Sequence, residues 1–173
     1  MVGVIVIVLV LLIGGFYIYT VGRLGKLHDS ARNAAGELDT LLWDRNHVLD
    51  QMIAKVEDKG ITVPEEHKEP IALALGMNST MQMTVFTTLM RRGNAVQDII
   101  NSHEELSGDA DLTKLSDRFV KLRDDIAESG SRYNQRANAF NSFIRMPLAG
   151  FLAARKGMGA RSFFSIQIAE AAK

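Results

Sequence analysis

The residues with the clearest chemical potential are an acid and a histidine on a predicted helix. Asp44 and His47 are three positions apart, so both side chains would lie on one helical face and could bind a metal ion. A di-metal helical bundle needs two such carboxylate–histidine pairs and two more inward carboxylates. The residues three positions before His28, His67 and His103 are not acidic. The sequence therefore predicts no metal site and no cofactor.

Motifs for other catalytic chemistry are absent from the sequence. The chain has no cysteine, which excludes thiolate nucleophiles, thiolate metal sites and disulfides. It also lacks the glycine-rich phosphate-binding motifs and the G-x-S-x-G sequence of serine hydrolases. Its twenty basic and twenty acidic residues leave no net charge, which argues against nucleic acid as a main partner. We therefore expect a protein that is not an enzyme.

Three asparagines form the most distinctive polar pattern. Asn134, Asn138 and Asn141 recur at helical spacing on one face of the predicted last helix, beside Tyr133. Asparagine is a poor helix former that hydrogen-bonds locally when it can. The stripe and Tyr133 therefore predict contacts to a neighbouring helix or to a partner protein. A solvated face is the alternative, and the sequence alone does not separate the two.

The element that must carry these helices is an N-terminal run without charge. Every residue from Val2 to Tyr19 is apolar, aromatic or glycine, and these eighteen residues give about 27 Å of helix, close to the thickness of a bilayer core. A buried core helix is disfavoured because no polar residue interrupts the run. A cleaved signal peptide is disfavoured because no basic residue precedes it and no A-x-A-like site follows it. We predict an uncleaved single-pass anchor over residues 1–22.

Aromatic and basic residues at the end of the run predict its depth and orientation. Phe16, Tyr17 and Tyr19 suit the headgroup level of a membrane, and Arg23 and Lys26 follow directly. Positive charges near a span favour the cytoplasmic side. The predicted orientation has the N-terminus outside and the rest of the chain in the cytoplasm, with the lipid bilayer as first partner.

Apolar periodicity predicts that the remainder is all-α. The first helix continues from the anchor to about Lys59, ends at Gly60, and has a heptad-like stripe typical of bundles and coiled coils. The stripe consists of Leu24, Leu27, Ala31, Ala34, Leu38, Leu41, Arg45, Val48, Met52 and Val56. A second helix is predicted from about Glu65, or from Ile71 because of Pro70, with a break at residues 91–94 and a short helical piece over 95–105. The predicted fold is an up-and-down bundle of three to four long helices. The count stays open, because a break at Gly93 gives four helices and a nearly continuous helix over residues 65–105 gives three.

The last long helix is predicted from about Leu112 to Arg145, where Met146 and Pro147 stop it. Gly130 inside this helix indicates close packing against a neighbour. The tail, residues 147–173, is predicted to form one short amphipathic helix and then an aromatic anchor at Phe163 and Phe164. Its basic residues, Arg155, Lys156 and Arg161, predict contact with anionic lipid, with an ordinary solvated end as the alternative. The predicted segments are thus an anchor (1–22), a cytoplasmic bundle (23–146) and a tail (147–173).

Several features taken in order give the chain a resemblance to a known family. They are the N-terminal span, Arg45 followed by Val48, Leu49, Met52 and Ile53, the series Tyr133, Asn134, Ala137, Phe140, Asn141 and Ile144, and Gly157 with the Phe163–Phe164 pair. In these positions the chain resembles the LemA family of bacterial membrane-anchored helical proteins. It departs at Asp50, at His103–Glu104, at Gly130 and in the position of Pro147, and residues 65–100 do not align, which makes it a divergent member. The resemblance implies a four-helix bundle on the membrane, with no established enzymatic activity or cofactor.

These features lead to three functional hypotheses, of which the first two are the main ones. The first is a scaffold or adaptor that recruits other membrane or membrane-associated proteins. The second is a membrane-remodelling or lipid-binding module that uses the basic tail. A metal-binding bundle enzyme would require bound metal and is the third. The partner and the oligomeric state, including a homo-oligomer, are left open by the sequence.

Overall fold

The structure is a computed structural model that describes residues 2–165. Over these residues it is all-helical and contains no strand, which confirms the predicted class. The helices are α1 (Val2–Asp58), α2 (Ser79–Ser102), α3 (Glu104–Ser107), α4 (Ala110–Ile144) and α5 (Pro147–Arg155), with a 3₁₀ turn at Glu65–His67.

The charge-free run and the first amphipathic helix are one continuous helix. Helix α1 contains 57 residues and passes through Gly22 and Gly25 without interruption, as predicted. Its apolar end is exposed, since only 6% of the most hydrophobic window is buried. Helix α1 is therefore the one helix among the described residues that is long and apolar enough to cross a membrane. Further along, Leu42 rather than Leu41 lies in the core.

The chain divides into two compact units. The anchor unit takes the described residues up to Ala34 together with Tyr133–Phe163. The other unit takes Ala35–Arg132 with Phe164 and Ser165, and we call it the three-helix unit after its three long helices, α1, α2 and α4. Helices α1 and α4 each contribute to both units. The functional segments 1–22, 23–146 and 147–173 stay a prediction.

A small apolar core holds the anchor unit together. It contains residues from α1, from the end of α4 and from α5, namely Leu24, Phe140, Phe143, Ala149, Leu152 and Ala153. The ring of His28 also meets the edge of Phe140, with centroids 5.9 Å apart. Helix α5 thus closes over α1 and α4, and the predicted short tail helix is confirmed.

Contacts in the three-helix unit show that α1 and α2 run in the same direction. Gln82 of α2 donates to Asp39 of α1, and further along both helices Arg45 meets Met90. Helix α4 runs the other way, because Asp111 at its start pairs with Lys55 of α1, whereas Arg132, further along α4, pairs with Glu37, which comes earlier in α1. The simple up-and-down alternation expected from the sequence is therefore wrong for α2. The long connection from α1 to α2 allows the parallel arrangement.

The start of α2 differs from both predicted positions. Pro64 and Pro70 do not open a helix, and the chain between them forms only a 3₁₀ turn. Helix α2 begins at Ser79, where the side chain of Asn78 accepts a hydrogen bond from the Met81 amide at 2.9 Å. An asparagine cap satisfies one of the amides that the first helical turn leaves free. This cap decides the boundary.

The predicted break at residues 91–94 does not exist. Helix α2 continues through Gly93, and a Cβ atom at this position would lie 2.2 Å from the ring of Phe119 in α4. Gly93 therefore lets two helices approach closely and does not end a helix. Gly130 plays the role predicted for it, because a Cβ atom there would lie 2.5 Å from the Phe164 ring.

The predicted last helix is confirmed as α4, which spans Ala110–Ile144. Asp109 caps it by accepting from the amides of Asp111 and Leu112. The ammonium of Lys59, 3.0 Å away, and these two amides lower the pKa of Asp109 to about 2. Helix α5 then begins at Pro147, where a missing N–H is tolerated at the first helical position.

Candidate functional site

The asparagine stripe of α4 binds the tail of the same chain. Asn141 makes two hydrogen bonds with the backbone of Arg161: its Nδ2 donates to the carbonyl and its Oδ1 accepts from the amide, each at 2.8 Å. Eight residues earlier on α4, the Tyr133 hydroxyl donates to the carbonyl of Ser162, also at 2.8 Å. We call this arrangement the tail clasp. Tyr133 and Asn141 thus contact another segment of the same anchor unit, and partner binding by this face stays a prediction.

The two other asparagines of the stripe differ in exposure. Asn134 is half-buried, whereas Asn138 is exposed. The sequence therefore identified the helix face but not its occupant. The tail is extended and its sequence has no periodicity. Its residues therefore do not indicate that Asn141 and Tyr133 bind its backbone.

We expect Asn141→Ala to release the tail. The change removes two part-buried hydrogen bonds, and each such bond contributes about 1 kcal/mol, so the local opening equilibrium would rise by roughly tenfold to a hundredfold. Hydrogen exchange of peptides that cover residues 158–165 measures this. Asn138→Ala is the matched control, because that side chain is exposed on the same stripe. Equal exchange in the two variants would contradict the clasp.

The basic and aromatic residues of the tail have different environments. Arg155 and Lys156 are exposed, as contact with lipid would require. Arg161 is half-buried, and its guanidinium lies 5.6 Å from the centroid of Phe140, so it is held within the anchor unit. Phe163 is exposed, but Phe164 is buried and meets Phe86 edge-on at 6.3 Å. The burial of Phe164 is against the predicted aromatic anchor at this residue, whereas the predicted lipid contact of Arg161 stays a prediction.

The aromatic and basic end of the apolar run is exposed. Phe16, Tyr17 and Tyr19 present their rings to the outside of the protein, and Arg23 and Lys26 are also exposed. Arg23 donates to the Tyr19 hydroxyl at 2.9 Å. These five residues have the exposure that a membrane edge requires.

A groove in the three-helix unit contains the only tryptophan of the chain. Trp43 is 53% exposed and lines a cavity of about 380 Å³ between α1 and the connection to α2. Ile71 and Leu73 form its apolar side, and Asp44 and Asp50 bring acidic groups. Burial, the largest influence on Asp50, raises the pKa of its carboxyl group. We call this feature the Trp43 groove.

Asp44 and His47 both line the Trp43 groove, but the third ligand of a metal site is not beside them. No group of three His, Cys, Asp or Glu side chains suited to hold a metal ion occurs among residues 2–165. The Nε2 atom of His47 lies 3.2 Å from the Nε2 atom of Gln51. The partial motif is therefore part of a polar groove wall.

Two buried polar groups fix the connection between α1 and α2 to the helices. Asp39 accepts hydrogen bonds from the Gly76 amide at 2.8 Å and from the Gln82 side chain at 2.7 Å. The side chains of Asp39 and Gln82 are fully buried. Arg92, also buried, donates from Nε to the His67 carbonyl at 2.7 Å. These contacts were missed by sequence reasoning, because they depend on a connection without periodicity. They position one wall of the Trp43 groove.

Arg45 is buried in the centre of the three-helix unit, and no ion pair of this side chain occurs among the described residues. The side chain is 1% exposed, and its guanidinium carbon lies 4.2 Å from the centroid of Phe119 and 5.3 Å from that of Phe86. Its Nη2 atom contacts the Met90 sulfur, whereas Nε and Nη1 have no hydrogen-bond partner among the described residues. Burial, followed by the charge of Arg123, lowers the pKa of Arg45 to about 10.

The chain was compared with protein-family models, with curated proteins and with solved structures, and none of them matches it. The sites therefore have to be interpreted from their own residues.

Proposed function

We propose that the protein is a non-enzymatic, single-pass membrane scaffold whose three-helix unit binds another protein. One observation carries the proposal: the exposed charge-free run and the buried face of the three-helix unit belong to the same uninterrupted helix. An anchor with this composition holds a domain at the bilayer. The basic residues after the run favour an outside N-terminus and a cytoplasmic domain, at the inner membrane of a bacterium.

The Trp43 groove is the proposed contact surface for the partner. Exposed tryptophan is among the residues that contribute most to protein–protein binding. The indole ring can accept a cation, and Asp44 and Asp50 add negative charge to the same groove. The partner segment that fits is therefore one that pairs an arginine or lysine with apolar side chains.

Site-specific photocrosslinking tests this assignment in cells. A photoreactive amino acid in place of Trp43 is expected to form adducts with one protein through a basic segment, and the same amino acid in place of Val120 is the control. Val120 is 49% exposed and also belongs to the three-helix unit, on α4. Asp44→Asn with Asp50→Asn should reduce recovery of that protein by about tenfold or more. Adducts with lipid alone, or equal adducts from both positions, would contradict the scaffold.

The proposed family is LemA, with this chain as a divergent member. The all-helical structure and the N-terminal apolar helix support it, together with the tyrosine and asparagine series of α4. The departure is clearest between α1 and α2, where a connection of twenty residues replaces the short turn of an up-and-down bundle. The number of helices that count as the bundle stays part of the proposal.

A lipid-binding module is the second candidate, because α5 presents a suitable surface. Phe151 is 60% exposed, and the guanidinium of Arg155 lies 6.0 Å from its ring centroid, with Lys156 next in the chain. An exposed aromatic beside two cations is typical of helices that lie at a membrane surface. In this candidate, Arg155 and Lys156 contact lipid.

A further inference from the structure

An apolar groove lies in the anchor unit at the end of the charge-free run. It has a volume of about 520 Å³ and is formed by residues 16–23 of α1 and residues 143–149 at the corner between α4 and α5. Ligand sites for small molecules commonly have volumes of about 300–1,000 Å³. The groove is therefore large enough to hold part of an acyl chain.

The walls of this groove offer few polar groups to a ligand. Phe16, Met146 and Leu148 contribute apolar side chains. Thr20, the small polar residue in the wall, is buried and donates its hydroxyl to the Phe16 carbonyl at 2.7 Å. Its donor is thus already used. Contact with a hydrocarbon chain would remove these apolar side chains from water and would therefore be more favourable than a water-filled groove.

Arg23 places a single cation at the groove. Its guanidinium carbon lies 5.9 Å from the centroid of Tyr19 and 5.6 Å from that of Phe143, and Nη1 donates to the Tyr19 hydroxyl. No ion pair of Arg23 occurs among residues 2–165. A guanidinium has five N–H donors, so several stay available to an anion, and its fork geometry matches a phosphate.

The charges within and directly after the two groove-forming stretches have one sign. Residues 16–26 contain Arg23 and Lys26, and residues 143–149 contain Arg145, whereas neither stretch has an acidic residue. The groove also follows directly after the run that is long enough to span a bilayer. In a membrane-anchored chain, an apolar groove with a cation at this depth meets acyl chains and headgroup phosphates together.

We propose that this groove binds an anionic phospholipid, with one acyl chain between α1 and the α4–α5 corner and its phosphate on Arg23. The inference rests on the membrane anchoring in the proposed function, but not on the Trp43 groove or on a protein partner. In this proposal Arg23 binds a lipid phosphate, in addition to favouring a cytoplasmic location for the residues after the apolar run.

Native mass spectrometry of the full chain, purified in detergent, tests the proposal. Phosphatidylglycerol and phosphatidylcholine with identical chains are added in equal amounts, and the wild-type protein is expected to retain phosphatidylglycerol about tenfold better. Arg23→Gln should bring this ratio close to one. Arg32→Gln, which removes an exposed arginine later on α1, is the matched control and should keep the ratio. Circular dichroism confirms that both variants are folded.

Three results would overturn the proposal. They are equal retention of the two lipids by the wild-type protein, an equal loss of preference in Arg23→Gln and Arg32→Gln, and displacement of the lipid by glycerol phosphate at the same concentration. The last result would show that the phosphate alone is bound and that the groove plays no part. The two proposals can fail separately. If photocrosslinking at Trp43 recovers no protein while the purified chain still selects phosphatidylglycerol, the scaffold proposal is contradicted and the lipid site is supported.

Discussion

Arginine at both Ile7 and Leu11 is expected to remove the protein from the membrane fraction. The two side chains are 62% and 69% exposed on the apolar part of α1, so the described part of the chain would not shield the added charges. Each arginine near the centre of a span costs about 2.5–3.5 kcal/mol by insertion measurements, and two would cost about twice that. Carbonate extraction followed by immunoblotting measures the change.

The matched control places the same two charges outside the run. Asn33→Arg with Thr40→Arg adds two arginines at exposed positions of α1, and this variant should stay in the membrane fraction. The intact mass of the wild-type protein then separates an anchor from a cleaved signal peptide. A soluble wild-type protein, or one that lacks the first twenty or so residues, would contradict the anchor.

The absence of cysteine gives a direct measure of orientation. A single cysteine introduced by Thr40→Cys should react with a membrane-impermeant maleimide only after the cells are opened, because the basic residues after the run favour a cytoplasmic domain. Labelling of intact cells would reverse the proposed orientation.

Features that depend on local periodicity could be predicted from the sequence. The unbroken apolar run and the stripe from Leu24 to Val56 have one helical register, and α1 follows it from Val2 to Asp58. The same reasoning located α4 within two residues at each end, because Pro147 marks its end and the acidic turn before it marks its start. Gly60, with a φ of 80°, also ends α1 in the predicted manner.

Features that depend on tertiary contacts could not be predicted in the same way. In the sequence, Gly93 indicates a break between two helices. In the structure the helix continues through Gly93, and the missing side chain leaves space for the Phe119 ring of α4. Residues 65–77 contain apolar side chains without a consistent period, and the buried carboxylate of Asp39 holds this connection through Gly76. The error in direction for α2 follows from that connection, since a short turn would have forced an antiparallel pair.

The candidate sites show the same division. The aromatic and basic residues at the end of the apolar run could be selected from the sequence, because charge and aromatic content are visible without a structure. Their place at a membrane edge stays a prediction. The sequence also singled out Tyr133 and Asn141 and predicted contact with a neighbouring helix or a partner. It did not identify the tail as the segment they bind, since that tail lies about twenty to thirty residues away in the chain. The Trp43 groove was missed because its second wall is the connection that the sequence placed in a helix.

Replacement of Arg45 by methionine is expected to stabilise the three-helix unit. Two large rings surround the guanidinium, and such cation–π contacts contribute about 2 kcal/mol each when water is excluded. Two costs oppose these contacts. The charge of Arg45 is removed from water, and its Nε and Nη1 atoms have no hydrogen-bond partner among the described residues. Replacement of buried ion pairs by apolar residues of similar volume has often raised stability by about 1–4 kcal/mol, and Arg45 has no ion pair among the described residues that such a replacement would remove. We expect Arg45→Met to lie in that range.

Two further substitutions separate the charge from the volume of the side chain. Arg45→Ala should unfold about 2–5 kcal/mol more easily than Arg45→Met, because it leaves a cavity between Phe86 and Phe119. Arg92→Met is the matched control, since Arg92 is equally buried but donates to the His67 carbonyl, and this variant should lose stability. Urea unfolding of the full chain in one detergent, followed by circular dichroism, gives all of these free energies.

The pH dependence tests whether the buried charge is the cause. The pKa of Arg45 is about 10 in the folded protein and higher in the unfolded chain, so above pH 10 the unfolded chain binds more protons than the folded protein does. The free energy of unfolding of the wild-type protein therefore gains a positive contribution as the pH rises above 10. Arg45→Met lacks this group, so its advantage should be complete at pH 8 and smaller at pH 11. An advantage that does not change with pH would assign the gain to packing, and a less stable Arg45→Met would show that the two rings outweigh the loss of hydration.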